Sequence, residues 1–298
     1  MVAVLALIAA VLPFSSVAGA APASRTVLNA PFRGVNAPSS TFDLVESVID
    51  YSPGAKSPVI STQTPYYLSV LGGELTVDVD GKADVVAAGK GLSVPSGAKL
   101  SLSNASARQN ARLFVTTLLA VAAVDQVHQP NSPGIRVFAS GRRTMFNAPS
   151  VVDIIQAATE YDPGFKTPNH VMNEFHLFIQ LAGQTSYHYT DGSSQTFGPG
   201  AQAVMDEGRA GWMGNDGATP SLFAMTWVAT PGKPLTSPAP AAAPAPPRTG
   251  NGIAASGEAR WSALGWLLIA IAGGAAVESR LRRRKRTSEA AREAAVSR

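Results

Sequence analysis

Two of the four histidines in this chain fall within "GFKTPNHVMNEFHLFIQLAG", from Gly164 to Gly183, and a third, His188, follows five residues later. His170 and Met172 are two residues apart, so an extended strand puts them on one face. His176 keeps the same parity. Two imidazoles and a thioether suit copper better than iron or manganese, which want more oxygen ligands. Whether His170, Met172 and His176 form a metal site is the question that this spacing raises; Cu, Mn, Fe, Ni and Zn all stay open as the ion. The same histidines can instead be hydrogen-bonding groups of a metal-free polar pocket, to which His188 and Trp212 are added as candidate lining. Glu174, between the two histidines, is the candidate general acid or base. Further along the chain there is no phosphate-cradling loop, no G-x-S-x-G elbow and no Ser/His/Asp ordering. With no cysteines there is also no thiol nucleophile and no disulfide framework.

The elements that must position these residues sit in a chain of 298 residues, enough for two domains with cores. Its net charge of +4 is a property of the tail. From Glu278 to Arg298 eight Lys/Arg face three Asp/Glu, which leaves everything before it near neutral. That distribution argues for a membrane-flanking tail and against a nucleic-acid surface.

Both ends read as membrane elements. "MVAVLALIAAVLPFSSVAGA" (1–20) has the apolar run and the Ala18-Gly19-Ala20 ending of a secretory signal peptide, with cleavage expected after Ala20. "WSALGWLLIAIAGGAAV" (261–277) is an uncharged span close to the length of a transmembrane helix, with tryptophans near its outer end. The basic tail (278–298) follows and is expected to stay inside. Before the span, 232–260 is Pro/Ala-rich and reads as an extended spacer. The expected topology is an exported body held on the outer face of the plasma membrane.

The body is duplicated. "RTVLNAP" (25–31) recurs as "RTMFNAP" (143–149), "YSPGAKSP" (51–58) as "YDPGFKTP" (161–168), Asp80-Gly81 as Asp191-Gly192, and Asn104 as Asn215. The offset is 118 at the start and then 110 or 111, which suggests halves that differ by one loop. Short runs such as "TFDLVESVID", "ELTVDVDG" and "ARLFVTTLLAV", punctuated by Gly, Pro and Asp-Gly, read as strands. The expected fold class is all-β. Its domains are 24–124, a connector at 125–136, and 137–231.

These motifs resemble those of the cupin family, G-x5-H-x-H-x3/4-E-x6-G followed by G-x5-P-x-G-x2-H-x3-N. The second module follows the first pattern from Gly164 to Gly183, and keeps Gly200, Gly208 and Asn215 of the second. The first module keeps Gly89, Pro95, Gly97 and Asn104. The resemblance covers about residues 24–231. It implies two tandem double-stranded β-helix (jelly-roll) barrels, to which a C-terminal transmembrane helix is added.

It also implies a metal held by three His and one Glu. In the first module those positions are Ile60, Thr62, Tyr66 and Leu100, which cannot hold a cation; in the second they are His170, Met172, His176 and Gly211. In addition, "PPRTG" (Pro246 to Gly250) resembles the L-P-x-T-G sorting signal of Gram-positive surface proteins, departing at Pro246. The leading expectation is a surface-anchored two-barrel protein that binds a small molecule or a cell-surface component in its second barrel, the first being structural. The alternative is a metal-dependent enzyme, oxygenase or isomerase in type, using His170, Met172 and His176.

Overall fold

The structure, a computed structural model, describes residues 21–239 apart from 129 and 206. The expected signal peptide, the membrane span, the basic tail and most of the spacer lie outside the described residues. Nineteen strands and no helix are found among the described residues. After β1 (Ser24–Asn36), the first module runs β2 (Phe42–Tyr51), β3 (Ile60–Ser61), β4 (Tyr66–Gly72), β5 (Glu74–Val79), β6 (Lys82–Ala87), β7 (Gly91–Val94), β8 (Lys99–Ser103) and β9 (Ala111–Leu119). Next comes β10 (Ile135–Met145). The second module runs β11 (Val151–Tyr161), β12 (His170–Met172), β13 (Phe175–Ala182), β14 (Thr185–Tyr189), β15 (Ser194–Phe197), β16 (Gln202–Met205), β17 (Ala210–Gly214) and β18 (Ser221–Ala229), with β19 (Thr236–Pro238) last.

The eight strands β2–β9 form two facing sheets, ordered β2-β9-β4-β7 and β3-β8-β5-β6. Strands β11–β18 repeat this as β11-β18-β13-β16 and β12-β17-β14-β15. That is the jelly-roll order, present twice. The strand periodicity explains each barrel's filling. In β5, Leu75 and Val77 are buried while Glu74 is exposed, the pattern of a sheet with one wet face.

β2 and β9 differ, being buried almost throughout. Their odd-numbered residues, such as Ile49 and Val115, fill the first barrel, and their even-numbered ones, such as Leu44 and Leu118, pack against the second module's sheet. Sheet packs on sheet across the molecule. At the centre of that apolar face sits a polar strip. Thr116 and Thr226, 110 residues apart, meet at 2.9 Å, and Gln156 Nε2 donates to Thr116 Oγ1 at 2.8 Å. Glu46, the counterpart of Gln156, is fully buried there and its two carboxyl oxygens have no hydrogen-bond partner.

The strands that lead into each module are exchanged. β1 precedes the first module but pairs with β11 of the second, and β10 precedes the second but pairs with β2 of the first. Registers correct the repeat. Arg25 lies opposite Glu160 and Arg136 opposite Asp50, each with a salt bridge (2.7 and 2.9 Å). The structural mate of Arg25 is thus Arg136, 111 residues on. Arg143 lies opposite Leu44 instead, so the 118-residue match of "RTVLNAP" to "RTMFNAP" relates non-equivalent positions.

Two segments expected to be connections are folded. The connector closes onto the first barrel: Asp125 accepts a hydrogen bond from Tyr66, Val127 joins the core, and buried His128 sits 2.8 Å from Ser47 Oγ. The spacer expected from 232 begins later, because Leu235 packs into the second core and β19 pairs with β12. The two motif asparagines hold matching turns. Asn104 donates to the carbonyls of Tyr51 (3.0 Å) and Gln109 (2.7 Å), and Asn215 to those of Tyr161 (3.0 Å) and Thr219 (2.8 Å).

Candidate functional site

β13 carries His176 between Phe175 and Leu177, and strand alternation turns it to the side of Phe178, into the second barrel. Its ring stacks on Trp227 of β18, centroids 3.9 Å apart and planes at 27°. The two strands place them directly opposite one another. His176 is fully buried and neither ring nitrogen has a hydrogen-bond partner among the described residues. Burial pushes its pKa down to about 3; the Glu174 backbone carbonyl acts against this, and the nearby His170 adds to it. The imidazole is neutral at any pH near 7.

His170 stands half-buried on β12. Its Nδ1–H donates to the Pro168 carbonyl at 2.8 Å, which leaves Nε2 as the lone-pair nitrogen. Burial lowers this pKa too. The ring lies edge-on to Tyr187, with centroids 6.5 Å apart. Tyr187, on β14, is buried, and its hydroxyl has no partner among the described residues. Burial raises that phenol to about 12, so it remains a donor. Met172 is buried in the same core, beside Met205, Met213 and Met225. The structure thus gathers His170, Met172, His176 and Tyr187 around one barrel interior.

The other candidates are elsewhere. His188 and Trp212 lie opposite each other on β14 and β17, but Tyr187 and Met213 beside them point into the core, so these two point out. They stack on the outer surface with centroids 3.8 Å apart. Asp216 lies 2.7 Å from His188 Nε2, and Lys166 Nζ stands 4.6 Å over the Trp212 ring. They are not pocket lining.

Glu174 sits in the turn between β12 and β13, which breaks the alternation that would align it with His170. Its Oε1 lies 3.2 Å from Lys233 Nζ, within ion-pair range though not aligned as a hydrogen bond. Lys233 also donates to the Asn173 carbonyl at 2.8 Å. The carboxylate is occupied in fastening the segment before β19.

A four-donor cage does not fit these residues. Gly211 stands opposite His170 and Tyr189, at the position where the family resemblance asks for a histidine. A Cβ there would lie 2.3 Å from the His188 carbonyl oxygen and 2.8 Å from the Tyr187 ring. Tyr187 fills the space that a fourth ligand would need. Among the described residues no three His, Cys, Asp or Glu side chains come together as metal ligands. His176, its pKa held low by burial, is a weak proton acceptor near pH 7. The arrangement can accept and donate hydrogen bonds inside a largely apolar barrel.

Tyr187 and Trp227 carry no signal in the sequence by which they could be assigned to this site. Trp227 is brought to His176 by pairing across 51 residues, and Tyr187 is one of two tyrosines flanking His188.

No family model matches the chain, and no curated protein matches its sequence. Among solved structures, a tryptophan-to-tyrosine variant of Bacillus subtilis oxalate decarboxylase overlays with a TM-score of 0.44 at 14% identity, covering 68% of this chain and 78% of that one. A serine-to-alanine variant of the same enzyme gives the same TM-score, identity and coverage. Values of this size bear on neither substrate nor metal. The jelly-roll assignment rests on the strand order.

Proposed function

We propose that this chain is an exported, surface-anchored two-barrel protein whose second barrel binds a small molecule without transforming it. The observation that carries the reading is the set of unpaired polar atoms in that interior: both nitrogens of His176 and the hydroxyl of Tyr187. A buried polar atom left unpaired costs about 1–3 kcal/mol, so the site has a strong demand for a hydrogen-bonding guest. Neutral His176 offers one acceptor nitrogen and one N–H donor, His170 Nε2 accepts, and the phenol donates. The complementary guest is a small uncharged molecule bearing hydroxyl or amide groups. Binding is favoured over chemistry because the described residues of that interior offer neither a complete cation cage nor a side chain tuned for proton transfer.

The test is the content of the purified full chain. The reading expects a small organic molecule, released on denaturation and seen by mass spectrometry, that is lost in His176→Phe and reduced in His170→Ala. Near-stoichiometric Cu, Mn, Fe, Ni or Zn, lost in the same variants, would overturn it in favour of the metal-dependent enzyme.

Anchoring at the outer face is part of the same proposal. It is supported by the Ala18-Gly19-Ala20 ending, the uncharged 261–277 span and the basic cluster after it. Intact mass of the surface-extracted protein reads the processing: a C-terminus at Thr249 means covalent sorting through Pro246–Gly250, and a retained basic tail means a plain membrane anchor.

A further inference from the structure

The first barrel, stripped of metal-binding side chains, contains a cavity of about 230 Å³ at its mouth. Its inner wall is Tyr51, Ile60, Leu100 and Leu102. Ile60 on β3 and Leu100 on β8 are directly paired across the sheet, so two aliphatic side chains face the space from adjacent strands. The outer rim comes from the connector, with Gln126, Val127, Pro130 and Asn131. Its position is fixed on one side of the cavity by the Tyr66–Asp125 hydrogen bond, by Asp125 accepting from the Val127 backbone N–H at 2.6 Å, and by His128 on Ser47. The connector is therefore a strap over the barrel mouth. It ties Val127 into the core below and leaves room beside it.

The lining has a definite chemistry. None of the described residues forming it is charged, so an ion would lose its hydration with nothing in return. Tyr51 lines the cavity, and burial pushes its phenol's pKa well up, so the hydroxyl remains a protonated donor. Ser57 already accepts from the Leu102 backbone N–H at 2.9 Å. Size narrows the choice further. An apolar cavity of about 150 Å³ holds benzene, so this one accommodates a substituted single ring.

We propose that the first barrel is a second binding site, which takes a small uncharged molecule of one ring, mostly apolar and carrying one oxygen that meets Tyr51. The site is independent of the second barrel's histidines and separate from them in the fold. It makes the first module more than a structural support.

The test uses the full chain in lipid nanodiscs, with 4-fluorophenol and fluorobenzene as probes followed by fluorine NMR line broadening, and empty discs as background. The expected result is saturable binding of both probes above background. Ile60→Phe, which fills the cavity, should weaken both about tenfold, the scale of one well-placed apolar group. Tyr51→Phe keeps the packing and should weaken 4-fluorophenol several-fold with little effect on fluorobenzene. His176→Phe should leave both unchanged, which separates this site from the second barrel's. Absence of saturable binding, binding that survives Ile60→Phe in a folded protein, or loss only in His176→Phe would each overturn the proposal. Should Ile60→Phe not fold, the Tyr51→Phe contrast between the two probes decides alone.

Discussion

Replacing Glu46 by Gln should stabilise the protein, by an amount that grows with pH. Glu46 is sealed between the two sheets, and neither carboxyl oxygen finds a partner. Burial raises its pKa from 4.5 to about 8, with Thr226 acting in the opposite direction. A carboxyl whose folded pKa is raised favours the fold fully below its unfolded value and progressively less as pH climbs towards the folded value. At pH 7 the gap from 4.5 is about 2.5 units, or roughly 3 kcal/mol withheld from stability. Gln156 shows what an amide does at the equivalent place: Nε2 donates to the Tyr67 carbonyl at 3.0 Å and to Thr116 Oγ1 at 2.8 Å, and Oε1 accepts from Ser69 at 2.5 Å. By the register, an amide at 46 faces the Leu177 carbonyl and Thr226 Oγ1, with Ile179 where Ser69 would be. Two of the three bonds are therefore on offer. Thermal unfolding of wild type and Glu46→Gln should nearly coincide at pH 5. They should separate by about 6–12 °C at pH 7 for a folded region of this size. Melting curves that stay parallel from pH 5 to 9 would show that Glu46 is not an isolated buried acid, and would refute the reasoning.

His176→Phe should keep the stack on Trp227 and remove two unpaired nitrogens, while abolishing guest binding. A histidine with a lowered folded pKa loses stability as pH falls from its ordinary 6.5 towards about 3, which amounts to roughly 2 kcal/mol at pH 5. The variant's melting temperature should therefore fall less steeply in acid than wild type's, with His128, lowered to about 4, keeping part of the slope. Gly211→Ala should destabilise by about 3 kcal/mol or more, read by urea unfolding, because the methyl group meets backbone at 2.3 Å. Asn104→Ala and Asn215→Ala should each cost about 2–3 kcal/mol in the same assay, since each asparagine both donates to carbonyls and accepts a backbone N–H. Equal, negligible effects of the two would remove the turns from the account of the fold.

Much of the architecture could be read locally, because turns and alternation are local properties. Asp80 and Gly81 both adopt positive φ between β5 and β6, which the dipeptide announces. Strand partners are not local. Nothing in "SRTVLNAPFRGVN" says whether β1 will pair with β2 or with β11, because both present a similar apolar strand edge. That is also why a chance likeness seven residues out of step could pass for part of the repeat. The site divides along the same line. Parity carries His176 inward, whereas His188 is flanked by Tyr187 and Tyr189, either of which could have been the inward residue. Trp212 neighbours the glycine that matters but points away from it. The bend at Asn173 and Glu174 keeps the inward parity of Met172 and His176 on either side, and only the folded chain shows that Glu174 itself meets Lys233.

The crossing of β1 and β10 makes the two barrels a clasp in which each half is fastened by a piece of the other. A protease that cut the chain once, between β9 and β10, would leave two fragments still locked together, each holding a borrowed strand along its full edge. Separating them would require peeling ten or more residues of ladder from both sides at once. On the outer-face location proposed above, among enzymes that digest exposed loops, a nicked molecule would keep its shape and both of its interiors.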